Sequence, residues 1–170
     1  ALEVYAVNGC LLARGLFDDA DLEPIRRDIQ RLIELRARFA KLDLPEETDG
    51  LRRFDDGFVA MNKVDRKHGA VIFDACRRLL PLHQLSVHPR LVALAKALMK
   101  TDVVIASDVK AIRVDHPRED KYLFDWHQDY PYVMDSEDAI VVWLPLHDVD
   151  QTNGCLKVAP GSRSVGLLPL

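Results

Sequence analysis

The sequence has few cysteines, and those it has form no recognisable framework. Cys10, Cys76 and Cys155 are the three in 170 residues, with no CxxC among them. Small secreted domains that depend on disulfides carry a denser set, usually of even number. A disulfide scaffold is therefore excluded, and a reducing compartment, the cytoplasm, is favoured.

The chain also lacks a long hydrophobic run. A membrane helix needs about 18 apolar residues in succession, whereas even the apolar run Ala139 to Leu146 is broken by Pro145 and followed by His147. The first nine residues have neither the basic start nor the apolar core of a secretory signal. The chain does not begin with Met, so a leader peptide that has been removed stays an open alternative. We expect a soluble protein without a membrane span.

Basic blocks, internal repeats and low-complexity tracts are missing as well. The 23 basic and 27 acidic residues are intermixed, with a net charge of −4. This distribution argues against nucleic acid as a partner. The 48% of hydrophobic residues is typical of a globular protein, and the length suits one domain at about 150 residues per domain. We therefore predict a single domain over residues 1–170.

Hydrophobic periodicity predicts a long amphipathic helix early in the chain. It begins after a group of aspartates that could cap it, Asp18, Asp19 and Asp21, and ends near Leu42. Its apolar positions recur at steps of mostly three and four residues: Leu22, Ile25, Ile29, Leu32, Ile33, Leu35 and Phe39.

Two further helices are predicted in the first part of the chain. One spans Val71 to Leu80 and is stopped by Pro81, and the other spans Pro89 to Lys100 with its proline in the first turn. The stretch Leu51 to Arg66 has no clean period and is predicted as a loop or a short strand. Residues 1–101 are thus expected to be mainly helical.

Residues 102–170 have the composition of β-strands. The apolar and β-branched segments are Val103 to Ile105, Val109 to Val114, Ala139 to Leu146 and Cys155 to Ala159. Asn153-Gly154 is a tight-turn signal before the last of them. Helices followed by short strands indicate an α+β protein with a β-sandwich or barrel core.

The segment Trp126-His127-Gln128-Asp129-Tyr130 carries the clearest chemical signal. In a strand, residues two apart share a face, so His127 and Asp129 would present a nitrogen and an oxygen to one point. These are two of the three ligands of a 2-His-1-carboxylate Fe(II) site. Taken alone, an HxD pair favours the simpler interpretation, an ordinary strand histidine and a turn-forming aspartate before Pro131.

Three more motifs follow the HxD segment in order: Val142-Trp143-Leu144-Pro145-Leu146, Asn153-Gly154-Cys155-Leu156 and Pro160-Gly161-Ser162. The order and spacing of the four resemble the phytanoyl-CoA dioxygenase family of Fe(II)- and 2-oxoglutarate-dependent oxygenases, most specifically over Val103 to Gly166. The resemblance implies a double-stranded β-helix (jelly roll) core with helices packed on one side. Residues 102–170 would be the first part of that core.

The resemblance also implies roles for single residues. His127 and Asp129 would bind iron, with 2-oxoglutarate as co-substrate and O₂ as oxidant. Lys110 and Trp143 would border the 2-oxoglutarate pocket, the first as an ammonium donor and the second as an apolar wall. Trp143 could instead fill the core, and Lys110 could be a lysine that snorkels from an edge strand.

Two tyrosines next to the HxD pair, Tyr130 and Tyr132, would shape the mouth of the substrate site, unless they only pack beside the proline turn. The substrate would be a small organic or acyl molecule hydroxylated at an unactivated C–H bond. Two rival interpretations stay open: a non-catalytic jelly-roll binding domain with an incomplete metal site, and a hydrolase that holds zinc on the same ligands.

Departures from the family pattern concern the third iron ligand, a distal His, and the Arg that pairs with 2-oxoglutarate. No residue of this chain matches either of them. His147 is interpreted as a surface residue at a strand end, and Arg163 stands where many members have a His after Pro-Gly-Ser. We expect residues 1–170 alone not to convert 2-oxoglutarate to succinate, and a longer product with both residues to do so.

Overall fold

A computed structural model describes residues 2–44, 50–113, 124–133, 136 and 138–168. The helices are α1 (Leu2–Asn8), α2 (Asp19–Ala40), α3 (Gly50–Val64), α4 (Arg66–Cys76), α5 (Leu80–Ser86), α6 (Pro89–Met99) and α7 (Tyr130–Val133), with a 3₁₀-helix at Ser162–Val165. No helix among the described residues has the length and apolar character needed to cross a membrane.

The chain divides into two compact units. One, which we call the helical unit, comprises Phe17–Ser86 and Lys110–Asp120. The other, which we call the HxD unit, comprises Ala1–Leu16, Val87–Val109 and Lys121–Leu170. Helices α2 to α5 belong to the helical unit, and the His127 segment belongs to the HxD unit.

The long helix predicted from periodicity is confirmed as α2. The Asp18 side chain accepts a hydrogen bond from the Asp21 N–H at 3.1 Å, and the Asp21 carboxylate accepts one from the Asp18 N–H at 2.9 Å. This reciprocal capping box satisfies amide groups that have no partner inside the helix. The helix ends at Ala40 and is capped by Lys41, which is left-handed with φ 55°.

One face of α2 forms the centre of the helical unit. Ile25, Ile29 and Ile33 are each at most 1% exposed, and the helix packs against α3, α4 and α5. Other helices contribute buried side chains to the same unit: Phe58, Met61, Ile72, Cys76 and Leu85. Burial of this face, rather than helix propensity, is what stabilises α2.

The prediction of a loop or short strand over Leu51 to Arg66 is wrong, because α3 covers most of it. Phe58 and Met61, three residues apart, are both buried, which is the helical spacing that α3 requires. Gly57 allows a close approach of α3 to α2, since a Cβ at this position would lie 2.9 Å from Ile33 Cγ2. Gly57 therefore serves helix packing in a segment where the sequence shows no clean period.

The helix predicted over Val71 to Leu80 is correct in kind but wrong in its bounds. It begins earlier, at Arg66, where the Asp65 side chain caps it by accepting from the Lys67 N–H at 2.9 Å. Pro81 does not stop a helix, but lies in the first turn of α5, where its missing N–H costs no intrahelical bond. The predicted helix Pro89 to Lys100 is confirmed as α6, with Lys100 as its left-handed cap.

The predicted jelly-roll core is wrong for the part of the chain that the structure describes. None of the described residues in 101–113 or 138–168 belongs to a strand. Val103 and Ile105 are 73% and 90% exposed, so they lack the cross-strand neighbours that stabilise a sheet. The composition of these segments has high β propensity. A strand, however, also needs a neighbouring strand whose backbone N–H and C=O groups pair with its own, and propensity alone does not provide one. The turn at Asn153-Gly154 is confirmed, with Gly154 at φ 93°.

The buried thiol of Cys76 gives a direct test of the helical packing. Burial raises the pKa of this thiol from 9.0 to about 11, which lowers its thiolate fraction at neutral pH, and the thiolate is the reactive form. In the native protein we expect iodoacetamide to modify the half-buried Cys10 and Cys155 before Cys76. Peptide mass spectrometry measures the order, and in denaturant all three should react alike. Early native labelling of Cys76 would contradict the packing.

Candidate metal centre

The structure brings the two residues of the HxD pair together. His127 Nε2 lies 3.4 Å from Asp129 Oδ1, and both side chains are partly exposed. The strand that the sequence argument assumed is absent, because residues 126–129 form an irregular bend that leads into α7. The two donor atoms therefore converge through a different backbone shape from the predicted one.

The His127 ring has a defined hydrogen-bonding role. Its Nδ1 lies 2.7 Å from the carbonyl oxygen of Asp125. A carbonyl only accepts, so Nδ1 carries the proton and donates. The Nε2 atom that faces Asp129 is then a lone-pair donor in the neutral ring. Histidines that bind metals commonly have their second nitrogen held in this way.

With the proton on Nδ1 alone, Nε2 and Oδ1 are both acceptors, and a positive charge is needed to offset their repulsion. A proton on Nε2 or a cation between the two atoms would supply that charge. Two ligands with metal bonds of about 2.1 Å are roughly 3.0 to 3.4 Å apart for bond angles between square and tetrahedral. The observed 3.4 Å lies at the wide end of this interval. The donor chemistry of the pair thus fits a divalent metal.

Two aromatic rings flank the imidazole edge to face. The Phe124 centroid is 5.4 Å from that of His127, and the Tyr132 centroid is 5.7 Å away with the planes at 89°. Both residues are about two-thirds exposed, as is Trp126. Phe124 and Tyr132 therefore form an aromatic surface beside the His127 ring, and the role of Tyr132 at a substrate mouth stays a prediction.

The start of α7 fixes the backbone at Asp129. The carbonyl of Asp129 accepts a hydrogen bond from the Tyr132 N–H at 3.0 Å. Tyr130 is the first residue of this helix and is half-buried. Its role at the substrate mouth stays a prediction.

Gln128, which lies between the two residues of the pair, makes two long-range contacts. Its Nε2–H donates to the carbonyl of Gly166 at 2.8 Å, and its Oε1 accepts from the Leu168 N–H at 2.8 Å. The sequence carried no signal for this pairing, because the partners are 38 and 40 residues away.

The predicted 2-oxoglutarate residues lie in different units. Lys110 is half-buried and begins the second segment of the helical unit, whereas Trp143 is 43% exposed and belongs to the HxD unit. Their shared role stays a prediction. His147, with Nδ1 2.8 Å from the carbonyl of Asp148, joins no cluster, and no group of three His, Cys, Asp or Glu side chains suited to a metal occurs in the described ranges.

Comparisons with known proteins bear on the same residues. The sequence profile described as phytanoyl-CoA dioxygenase (PhyH) matches residues 5–167. The chain belongs to the phytanoyl-CoA dioxygenase family. The resemblance inferred from the four motifs is thereby confirmed, and it extends over the helical part as well as the HxD segment.

Two curated relatives of this family member are enzymes by name. The L-proline trans-4-hydroxylase of Streptomyces griseoviridis is 32% identical over 96% of this chain and 54% of its own length. A probable phytanoyl-CoA dioxygenase of Caenorhabditis elegans is 24% identical over 97% of this chain and 52% of its own. The chain thus spans about half the length of these relatives. No solved structure matches it.

Proposed function

We propose that this chain contributes the HxD pair, two of the three protein ligands, to the metal site of an Fe(II)- and 2-oxoglutarate-dependent oxygenase. The family assignment supports an oxygenase. The observation that carries the metal part is the approach of His127 Nε2 to Asp129 Oδ1 at 3.4 Å. His127 and Asp129 would hold iron as two of the three ligands of a facial triad, which leaves other positions open to small molecules.

The iron, when bound with 2-oxoglutarate and O₂, supplies the oxidising chemistry for hydroxylation of an unactivated C–H bond. The residues of the chain orient the two ligand atoms. The Asp125 carbonyl keeps the proton of His127 on Nδ1, so that Nε2 stays available, and the Asp129 carboxylate supplies negative charge at the same point.

The substrate side of the proposal concerns the aromatic surface next to His127. Phe124 and Tyr132 flank the ring, and all three side chains are accessible from solvent. A surface of this kind suits the apolar C–H part of a small organic or acyl substrate. The names of the relatives suggest two probes, free L-proline and an acyl-CoA thioester. Lys110 and Trp143 are proposed to contact 2-oxoglutarate.

Asp129→Asn tests the metal assignment, with Asp125→Asn as its matched control. Each variant removes one negative charge two residues from His127, but only Asp129 offers an oxygen to Nε2. We expect Asp129→Asn to lower Fe(II) affinity at least about tenfold, since a carboxylate ligand is lost. Asp125→Asn should leave it within about twofold, because exposed charges contribute little.

Anaerobic titration of the chain, followed by tryptophan fluorescence, measures these affinities, since both tryptophans lie in the HxD unit. Addition of 2-oxoglutarate should produce a second change that requires Fe(II). Equal losses of Fe(II) affinity in the two variants would show that the loss comes from the change in net charge and not from removal of a metal ligand. A wild-type chain that binds neither Fe(II) nor 2-oxoglutarate would favour the non-catalytic binding domain.

A further inference from the structure

We propose that Gln128 is a positioning residue for the metal pair. Its side-chain amide ties the segment that carries His127 and Asp129 to the backbone of Gly166 and Leu168. We call this two-bond contact the Gln128 clamp. The effect of the clamp on metal binding rests on the proposed function, whereas the two hydrogen bonds themselves do not.

The clamp has the geometry of a two-point attachment. The Nε2–H of Gln128 donates to the Gly166 carbonyl, and Oε1 accepts from the Leu168 N–H, both at 2.8 Å. One hydrogen bond would leave the amide free to rotate about the donor–acceptor line. Two bonds to backbone groups two residues apart remove that freedom, because donor and acceptor positions are both specified.

The far side of the clamp is held in place by backbone that only glycine adopts readily. Gly166 has φ 72° and ψ −162°, a region essentially restricted to glycine. Its N–H donates to the Arg163 carbonyl at 3.3 Å, which closes the 3₁₀-helix Ser162–Val165. That conformation turns the chain so that the Gly166 carbonyl and the Leu168 N–H both meet Gln128.

The Pro-Gly-Ser motif anchors this arrangement at its other end. The N–H of Gly161 donates to the carbonyl of Asn8, the last residue of α1, at 2.8 Å. The Ser164 hydroxyl donates to the Gly161 carbonyl at 2.8 Å. The motif that marked the family in sequence thus connects the end of α1, through a short helix, to the clamp on the HxD segment.

The clamp acts on the metal pair because Gln128 shares a peptide group with each ligand. Among the described residues, the hydrogen bonds of His127 and Asp129 are local: one ring bond to Asp125 and one carbonyl bond from Tyr132. Local bonds move together with the segment. The clamp, in contrast, holds the segment by hydrogen bonds to backbone groups that are 38 and 40 residues away in the sequence. It therefore restricts the positions from which Nε2 and Oδ1 can converge.

Two substitutions separate the clamp from the charge of the segment. Gln128→Glu keeps the chain length and the acceptor for Leu168, but places a carboxylate oxygen against the Gly166 carbonyl, where two acceptors repel. The added negative charge alone would raise the affinity for a cation. A lower affinity in this variant therefore has a geometric cause. Gln84→Glu, on the exposed side of α5, is the matched control.

Amide hydrogen exchange measured by NMR tests the clamp without metal. We expect the Leu168 N–H to exchange at least about tenfold faster in Gln128→Ala than in the wild type, because its acceptor is gone. The circular dichroism melting curve, which reports mostly the helical unit, should be unchanged. Unaltered exchange at Leu168 would show that the clamp is not formed and would overturn the proposal.

Fe(II) titration of the same chains tests the positioning role. We expect the dissociation constant to rise about tenfold or more in Gln128→Glu and Gln128→Ala, and to stay at the wild-type value in Gln84→Glu. Faster Leu168 exchange with an unchanged dissociation constant would overturn positioning while leaving the proposed function intact. Absence of Fe(II) binding by the wild type would instead overturn the proposed function and the metal consequence of the clamp, with the exchange result still deciding whether the clamp forms.

Discussion

Fe(II) affinity is expected to fall at least about 100-fold in His127→Ala, because the change removes one of two protein donors and leaves the Asp129 carboxylate as the other. The loss should exceed that of Gln128→Glu, which keeps both donors and changes only their positions. Anaerobic titration with the dissociation constant as the readout measures the difference.

His147→Ala is the matched control for this substitution. The Nδ1 of His147 also lies near a backbone carbonyl, that of Asp148 at 2.8 Å, but its ring forms no ion pair with a described carboxylate, unlike the His127 ring with Asp129. We expect its Fe(II) affinity to equal that of the wild type within about twofold. A large loss in His147→Ala would show that this histidine completes the site, and equal affinity in His127→Ala would remove His127 from it.

Truncation of the central residue of α2 is the second change with a large expected effect. Ile29 is fully buried on the face that packs against the other helices of the helical unit. Ile29→Ala should lower the free energy of unfolding by about 2 to 4 kcal/mol, from the lost transfer energy and the cavity that remains. Urea unfolding followed by circular dichroism at the helical signal measures it.

Leu35→Ala controls for the effect of an alanine in the same helix. Leu35 is 48% exposed, so its truncation should cost less than about 1 kcal/mol. A loss for Leu35→Ala as large as that for Ile29→Ala would indicate that α2 buries a different face. Both variants should retain wild-type Fe(II) affinity while folded, since neither residue lies in the HxD unit.

Helices that the sequence predicted well have strong local signals. In α2 the run of isoleucines at helical spacing and the Asp18 cap agree with each other, and both are properties of neighbouring residues. Over α3 the sequence shows no clean period, so no local signal identifies the helix. Its packing depends on contact with Ile33, 24 residues before Gly57, where only a glycine allows the approach.

The candidate site, too, has features that local sequence signals identify and features that depend on distant residues. His127 and Asp129 are recognisable from two letters and their motif context, and the family assignment confirms that context. The reason first offered for their proximity, alternation along a strand, is wrong, since the structure has an irregular bend at residues 126–129. The partner of His127 Nδ1 and both partners of Gln128 are backbone groups. Backbone groups are present at every residue, so no sequence pattern distinguishes them.

The sequence by itself therefore determined the family, the HxD pair and those helices whose caps and periodicity are local. Only the tertiary structure decided that the segments of high β propensity in the described ranges form no paired strands, that α3 is a helix, and that Gln128 reaches Gly166 and Leu168. Pairing of strands, close helix packing and side-chain contacts to distant backbone all depend on residues far apart in the chain. The stabilising free energy of these contacts arises only when those residues are close in space, so local propensity does not predict it.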